Sequence, residues 1–145
     1  MSYLDSGYIV KFYVDEPDSP RVRQLAESSG EVHCAALGRA EVAAALHRKL
    51  REGVFSEAAF REVIAQFEDD CSSDLWTWIP LTATIVAATV AVIRQVPKSV
   101  FIRGADAIHL ACARESGFTE VYTADRHMAL AAPHFSVRPV TVRPS

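Results

Sequence analysis

The stretch FIRGADAIHLACA, Phe101 to Ala113, sets a nearly apolar helix behind a glycine and puts a carboxylate, Asp106, in its first turn. Asp106, Leu110 and Ala113 project to one side at about 100° per residue. Ile108 and Cys112 make the opposite side apolar, so the helix reads as buried nearly all round until Arg114 and Glu115. An unpaired carboxylate entering a core costs several kcal/mol or takes up a proton. A cation brought to it removes that cost. The plainer alternative is a cap, or an acid resting near the positive end of the helix dipole.

Working outward, helical and strand patterns alternate. SYL, EVHCAAL, LWTWIPL, EVYTA and VRPVTV read as strands, the last as an edge strand because of Pro139. Between them fall helices over SGYIVKFYVDE, RVRQLAES, GRAEVAAALHRKLREG, SEAAFREVIAQFEDD, TATIVAATVAVIRQV, the Asp106 segment and DRHMALAA. Strands alternating with helices predict an α/β fold, a parallel sheet with helices on both faces. No repeat or linker divides the chain, so one domain over residues 1–145 is expected.

In such a sheet the carboxyl ends of strands and the N-termini of the following helices share one edge, where ligands bind. Asp5 ends the first strand, Asp125 follows EVYTA, Glu41 opens the helix after EVHCAAL, and Asp106 opens its own helix. Four acids are therefore candidates for one rim. Each has a second reading: Asp5 and Asp125 as N-caps, Asp106 as a charge on the dipole, Glu41 as a surface glutamate among small residues.

Carboxylates gathered without counter-ions repel, and their hard oxygens suit Mg2+ or Mn2+. The five histidines have no HxxxH or HExxH spacing, which disfavours zinc. Three scattered cysteines, Cys34, Cys71 and Cys112, form no CxxC pair and read as buried apolar residues.

Composition bounds the rest. The chain is 50% hydrophobic with a net charge of −3, so any nucleic acid must be gripped locally or through a metal. The longest apolar run, Ile85 to Ile93, is half the roughly 18 residues a membrane helix needs. The N-terminus has no basic region, so no signal peptide and a cytoplasmic location are expected.

YLDSG, RAEVAAAL, RGADAIHLACA and VYTADRHM occur in the order found in the PIN-domain nucleases, and the chain most resembles the VapC-type ribonuclease toxins of bacterial toxin–antitoxin pairs. The resemblance implies a PIN-like three-layer α/β/α fold with a central parallel sheet and an acidic pocket at the strand ends. It implies that Asp5, Glu41, Asp106 and Asp125 are the catalytic acids and hold one or two Mg2+ or Mn2+ ions. Ser6 and Thr123 match the family's hydroxyl positions beside the first and last acids. Gly7 departs from it, standing where a hydroxyl or Asn is common.

The implied activity is endonucleolytic hydrolysis of RNA by metal-activated water, leaving a 5′-phosphate. The implied partners are an RNA substrate, a cognate antitoxin and a second copy in a homodimer, with no membrane. A solitary RNA-processing PIN nuclease, or a silent interaction module of the same fold, is the alternative.

Around this quartet, Arg103 either meets phosphate or pairs with an acid. His109 reads as a structural histidine, Lys11 and Arg126 as solvated charges, and Tyr8, Phe12 and Tyr13 as packing groups. The cluster EDDCSSD, Glu68 to Asp74, reads as a solvated helix end. An aspartyl-phosphate phosphotransferase with Asp5 as nucleophile is disfavoured by Gly7, since such enzymes usually carry a second acid at that position.

Overall fold

The computed structural model describes residues 1–144. Strands β1 (Ser2–Tyr3), β2 (Val32–Ala35) and β3 (Trp76–Ile79) form one parallel ladder in the order β1-β2-β3. Strands β4 (Glu120–Tyr122) and β5 (Arg138–Val140) form a second, also parallel. The ladders meet between β1 and β4, at a bridge of Leu4 with Tyr122 and a 3.0 Å bond from the Asp5 amide to the Tyr122 carbonyl. The expected parallel sheet is thus present, running β3-β2-β1-β4-β5, and Pro139 lies on its edge as expected. The chain builds outward from β1 through β2 to β3, then crosses back to start β4 on the other side of β1. That reversal is the switch point of a doubly wound sheet.

Helices α1 (Ser6–Tyr13), α2 (Ser19–Ser29), α3 (Leu37–Arg51) and α4 (Glu57–Ser72) precede β3 or flank its start. Helices α5 (Ala83–Ile93), α6 (Gly104–Glu115) and α7 (Arg126–Ala131) follow it. β1 divides the interior, because successive residues of a strand face opposite ways. Leu4 joins Tyr8, Ile9, Val42, Leu46, Phe67 and Trp76 in one core. Tyr3 joins Leu110, Val121, Met128 and Phe135 in the other. The sheet is the middle layer of three. No helix among the described residues is long and apolar enough to cross a membrane.

Several boundaries differ from expectation. α1, expected through Glu16, ends at Tyr13, where Val14 turns to extended backbone, and α3 begins at Leu37, inside the stretch read as the second strand. α2 begins earlier, at Ser19, because Pro20 occupies a first-turn position where its missing N–H costs nothing. α5 stops at Ile93 and the chain tightens into short turns, with Gln95 bonding Val92 and Val96 bonding Ile93, ahead of Pro97. The helix expected through Ala132 ends at Ala131 and passes into a 3₁₀ turn over Ala132–Phe135, which contains Pro133.

Candidate active site

Asp5, Ser6, Glu41, Arg103, Asp106 and Asp125 line one cavity of about 340 Å³, together with Lys11 and His109. The cavity opens at the carboxyl ends of β1 and β4, at the switch point. Thr123 does not line it; it is fully buried beneath. All four acids therefore come to one rim.

The alternative readings of Asp5 and Asp125 hold at the same time. Each caps a helix: Asp5 Oδ1 accepts from the Tyr8 amide and Asp125 Oδ1 from the Met128 amide, both at 2.9 Å. An N-cap uses one carboxylate oxygen, and the other serves elsewhere. Asp5 Oδ2 accepts from the Thr123 hydroxyl at 2.5 Å, and that same hydroxyl oxygen accepts the Asp125 amide at 3.0 Å. One buried threonine links both acids.

Asp106 is not a cap. Arg103 holds the cap position of α6 without a side-chain cap bond, and Asp106 lies in the first turn. Arg103 instead reaches across the rim, donating from Nε to Asp106 Oδ2 at 2.9 Å and from Nη2 to Asp125 Oδ2 at 2.7 Å. Of its two expected roles, the ion pair is the one present.

Glu41 is not a free surface acid. Its Oε1 stands 2.5 Å from Nε2 of His109, whose side chain is only 3% exposed. Lys11 is not a solvated charge either: it pairs with Asp18 at 2.6 Å and Glu16 at 3.4 Å. Arg126 is exposed and lies off the cavity lining.

The acids differ in charge balance. Burial pushes the Asp5 carboxyl above its ordinary value, against the Thr123 and Tyr8 hydrogen bonds that favour its charged form. Partial burial pulls Asp125 the same way, but the Met128 amide and the Arg103 guanidinium outweigh it and hold that carboxyl low.

These residues fit a hard divalent ion in donor type: four carboxylates on one cavity, one of them buried with no cation, two bridged by a guanidinium. Among the described residues, however, no three His, Cys, Asp or Glu groups stand close enough to enclose an ion together.

Other features keep clear of the cavity. Tyr8 is buried and Phe12 and Tyr13 pack against the first core, as packing groups should. Glu68 to Asp74 is not wholly solvated: Asp70 accepts the Tyr13 hydroxyl at 2.6 Å, and Cys71 is buried. All three cysteines are buried and free, as read. At Gly7 a Cβ would lie 3.4 Å from Asp5 Oδ1, an ordinary contact, so space does not demand glycine there.

One group escaped the sequence. Tyr3 is fully buried, and its hydroxyl lies 2.8 Å from His109 Nδ1. A tyrosine in a short strand gives no local sign of this, since its partner is distant in sequence.

A family model described as PIN domain matches residues 2–132. No curated protein matches the chain.

Proposed function

The chain belongs to the PIN-domain family, and from that premise we propose that it is a Mg2+- or Mn2+-dependent endoribonuclease acting as the toxin of a toxin–antitoxin pair. PIN domains are in general nucleases. The observation that carries the reading is the meeting of Asp5, Glu41, Asp106 and Asp125 on one cavity at the sheet's switch point.

In this reading Asp5 and Asp106 are the principal metal ligands, with Glu41 and Asp125 as further ones. The ion, once bound, supplies Lewis acidity and a water acidic enough to act at neutral pH. The chain's own residues do the rest. Thr123 fixes Asp5 through a hydrogen bond to Oδ2 and leaves each oxygen a second lone pair. The helix caps hold Asp5 and Asp125 in orientation before any ligand arrives. Arg103, half exposed at the mouth, turns from carboxylates to the phosphodiester of the incoming RNA, whose anionic oxygens match its fork. Ser6 donates or accepts at the cavity wall. Hydrolysis breaks the bond to the 3′ oxygen and leaves a 5′-phosphate on the downstream fragment.

The toxin role rests on the same acids. An antitoxin that inserts an arginine would find here the carboxylates that Arg103 already bridges. A homodimer and a cytoplasmic location belong to the same proposal.

The test is cleavage of single-stranded and structured RNA by the purified full chain with Mg2+ or Mn2+, then with EDTA, beside Asp5→Asn and Asp106→Asn. Cleavage that needs the ion and disappears in both variants supports the nuclease. Equal cleavage in every lane marks a contaminant. Binding without cleavage supports a silent module, the reading that the Arg103 bridge and the lack of a three-ligand cluster favour. Co-purification with the product of an adjacent short reading frame tests the toxin assignment; a chain that cleaves without such a partner is a solitary RNA-processing nuclease.

A further inference from the structure

A buried polar chain runs from the sheet to the cavity wall. The Ala35 amide of β2 donates to the Tyr3 hydroxyl at 3.0 Å. The hydroxyl lies 2.8 Å from Nδ1 of His109, and Nε2 of the same ring lies 2.5 Å from Glu41 Oε1. Tyr3 is completely buried and His109 2% exposed. Both side chains are thus withdrawn from bulk solvent.

The hydrogen positions follow by elimination. The Tyr3 oxygen already accepts the Ala35 N–H, so its own hydrogen is free to point at Nδ1. Nδ1 is then the acceptor, and Nε2 carries the ring hydrogen and donates it to Glu41. The opposite tautomer would set the Nε2 lone pair against a carboxylate oxygen and leave only cysteine sulfur, a weak acceptor, for the displaced hydrogen, with Cys34 Sγ 3.9 Å from Nδ1.

The ring's slot is equally fixed. Tyr3 stands edge-on to it, with centroids 6.2 Å apart at 81°. Gly38, three residues before Glu41 on α3, makes room: a Cβ there would come within 3.3 Å of His109 Cε1 and 2.5 Å of Cys34 Sγ. Tyr3 lies two residues before Asp5, and His109 three residues after Asp106. The strand and the helix that carry two acids thus also steer a third.

We propose that His109 is a positioning residue for Glu41, held by Tyr3 in its Nε2–H form so that it fixes the Glu41 carboxylate toward the cavity, where that carboxylate serves a divalent cation. The proposal rests on the nuclease reading for the cation and on geometry alone for the relay. Partners of this kind behind a metal ligand change affinity about 10- to 100-fold when removed.

The relay is tested first without metal, by long-range proton–nitrogen NMR of the full chain. Expected are an unprotonated Nδ1, a protonated Nε2, and a sharp downfield Hε2 signal that shifts and broadens in Glu41→Ala. A protonated Nδ1, or an Hε2 signal indifferent to Glu41→Ala, overturns the relay.

Mn2+ binding by calorimetry follows. His109→Leu is expected to weaken it about 10- to 100-fold and Tyr3→Phe about 10-fold, while His109→Gln, whose amide can donate from nearly the same point, stays within a few-fold of wild type. Tyr3→Phe and His109→Gln keep the shape of the core and stand in if His109→Leu fails to fold. Equal Mn2+ affinity in wild type and Tyr3→Phe overturns the positioning role. A wild type that binds no Mn2+ but keeps the Hε2 signal overturns the metal reading, and with it the role toward a cation, while the relay remains as a structural bond.

Discussion

Asp5 and Asp125 end adjacent parallel strands, cap the helices that follow by the same 2.9 Å bond, and share one threonine hydroxyl, yet their carboxyls are pushed in opposite directions. Local geometry is therefore not what separates them. Asp5 lies at the buried wall, where its hydrogen-bond partners are neutral donors. Asp125 lies at the open mouth, where Arg103 supplies a positive charge. Hydrogen bonds alone do not repay the loss of water around a full charge. The cavity thus has a wall that lacks a cation and a mouth that already holds one.

The largest test of this contrast is Asp5→Asn. It is expected to lower RNA cleavage at least about a hundredfold, the scale of removing one group that stabilises transition-state charge. In EDTA the same variant melts above wild type, because relief of a buried charge outweighs the one bond given up: the amide oxygen keeps the Tyr8 cap, while its NH2 cannot accept from Thr123. Asp125→Asn gives up the charge that the Met128 amide, and after it Arg103, favours at the start of α7, and melts slightly below wild type. Single-turnover cleavage and thermal unfolding check both; a fall in melting point for the two variants alike breaks the comparison.

Gly38→Ala disturbs the buried wall without touching an acid. Its Cβ would meet Cys34 Sγ at 2.5 Å, so a loss of about 1–3 kcal/mol in urea unfolding is expected.

The pH dependence sharpens the contrast further. The ordinary value for both groups is 3.8. Asp5 is raised, so its contribution to stability is full below 3.8 and is lost as pH rises through its folded-state value. Asp125 is lowered, so its contribution is present above 3.8 and is lost as pH falls through its own folded-state value. Between about pH 3 and about pH 7, wild type should lose ground to Asp5→Asn as pH rises above about 4, and gain on Asp125→Asn only at the acid end, below about 4. Melting curves across that range read both slopes, and two slopes of one sign would refute the assignment.

The smallest effect belongs to Arg103→Ala. A half-exposed ion pair contributes little to folding, so the melting point should barely move. Mn2+ affinity, measured by calorimetry, should rise a few-fold because a competing cation leaves the mouth.

Much of this was legible in the sequence. The alternation of strands and helices carried the fold, and the position of Asp5, Glu41, Asp106 and Asp125 at strand ends or helix starts carried the rim. What sequence could not supply was pairing at a distance. Asp5 and Asp125 as caps and Asp5 and Asp125 as cavity acids looked like rival readings, because a linear chain does not reveal that a carboxylate has two oxygens aimed differently. Glu41, placed on the rim, kept a second reading as a surface glutamate because its partner His109, and Tyr3 behind that ring, come from another helix and another strand. The order of strands, and with it the switch point, was likewise invisible: a single bridge, Leu4 with Tyr122, joins the two ladders.

That two-residue first strand has a consequence for anyone who edits the chain. Tyr3 and Leu4 belong to different interiors by parity alone. Removing or inserting one residue between them and Asp5 would exchange odd for even, send a phenol where an isobutyl group belongs, and turn the leading acid away from its companions. Extensions ahead of Met1, which is 77% exposed, leave that parity intact. A fusion tag belongs there, outside the count.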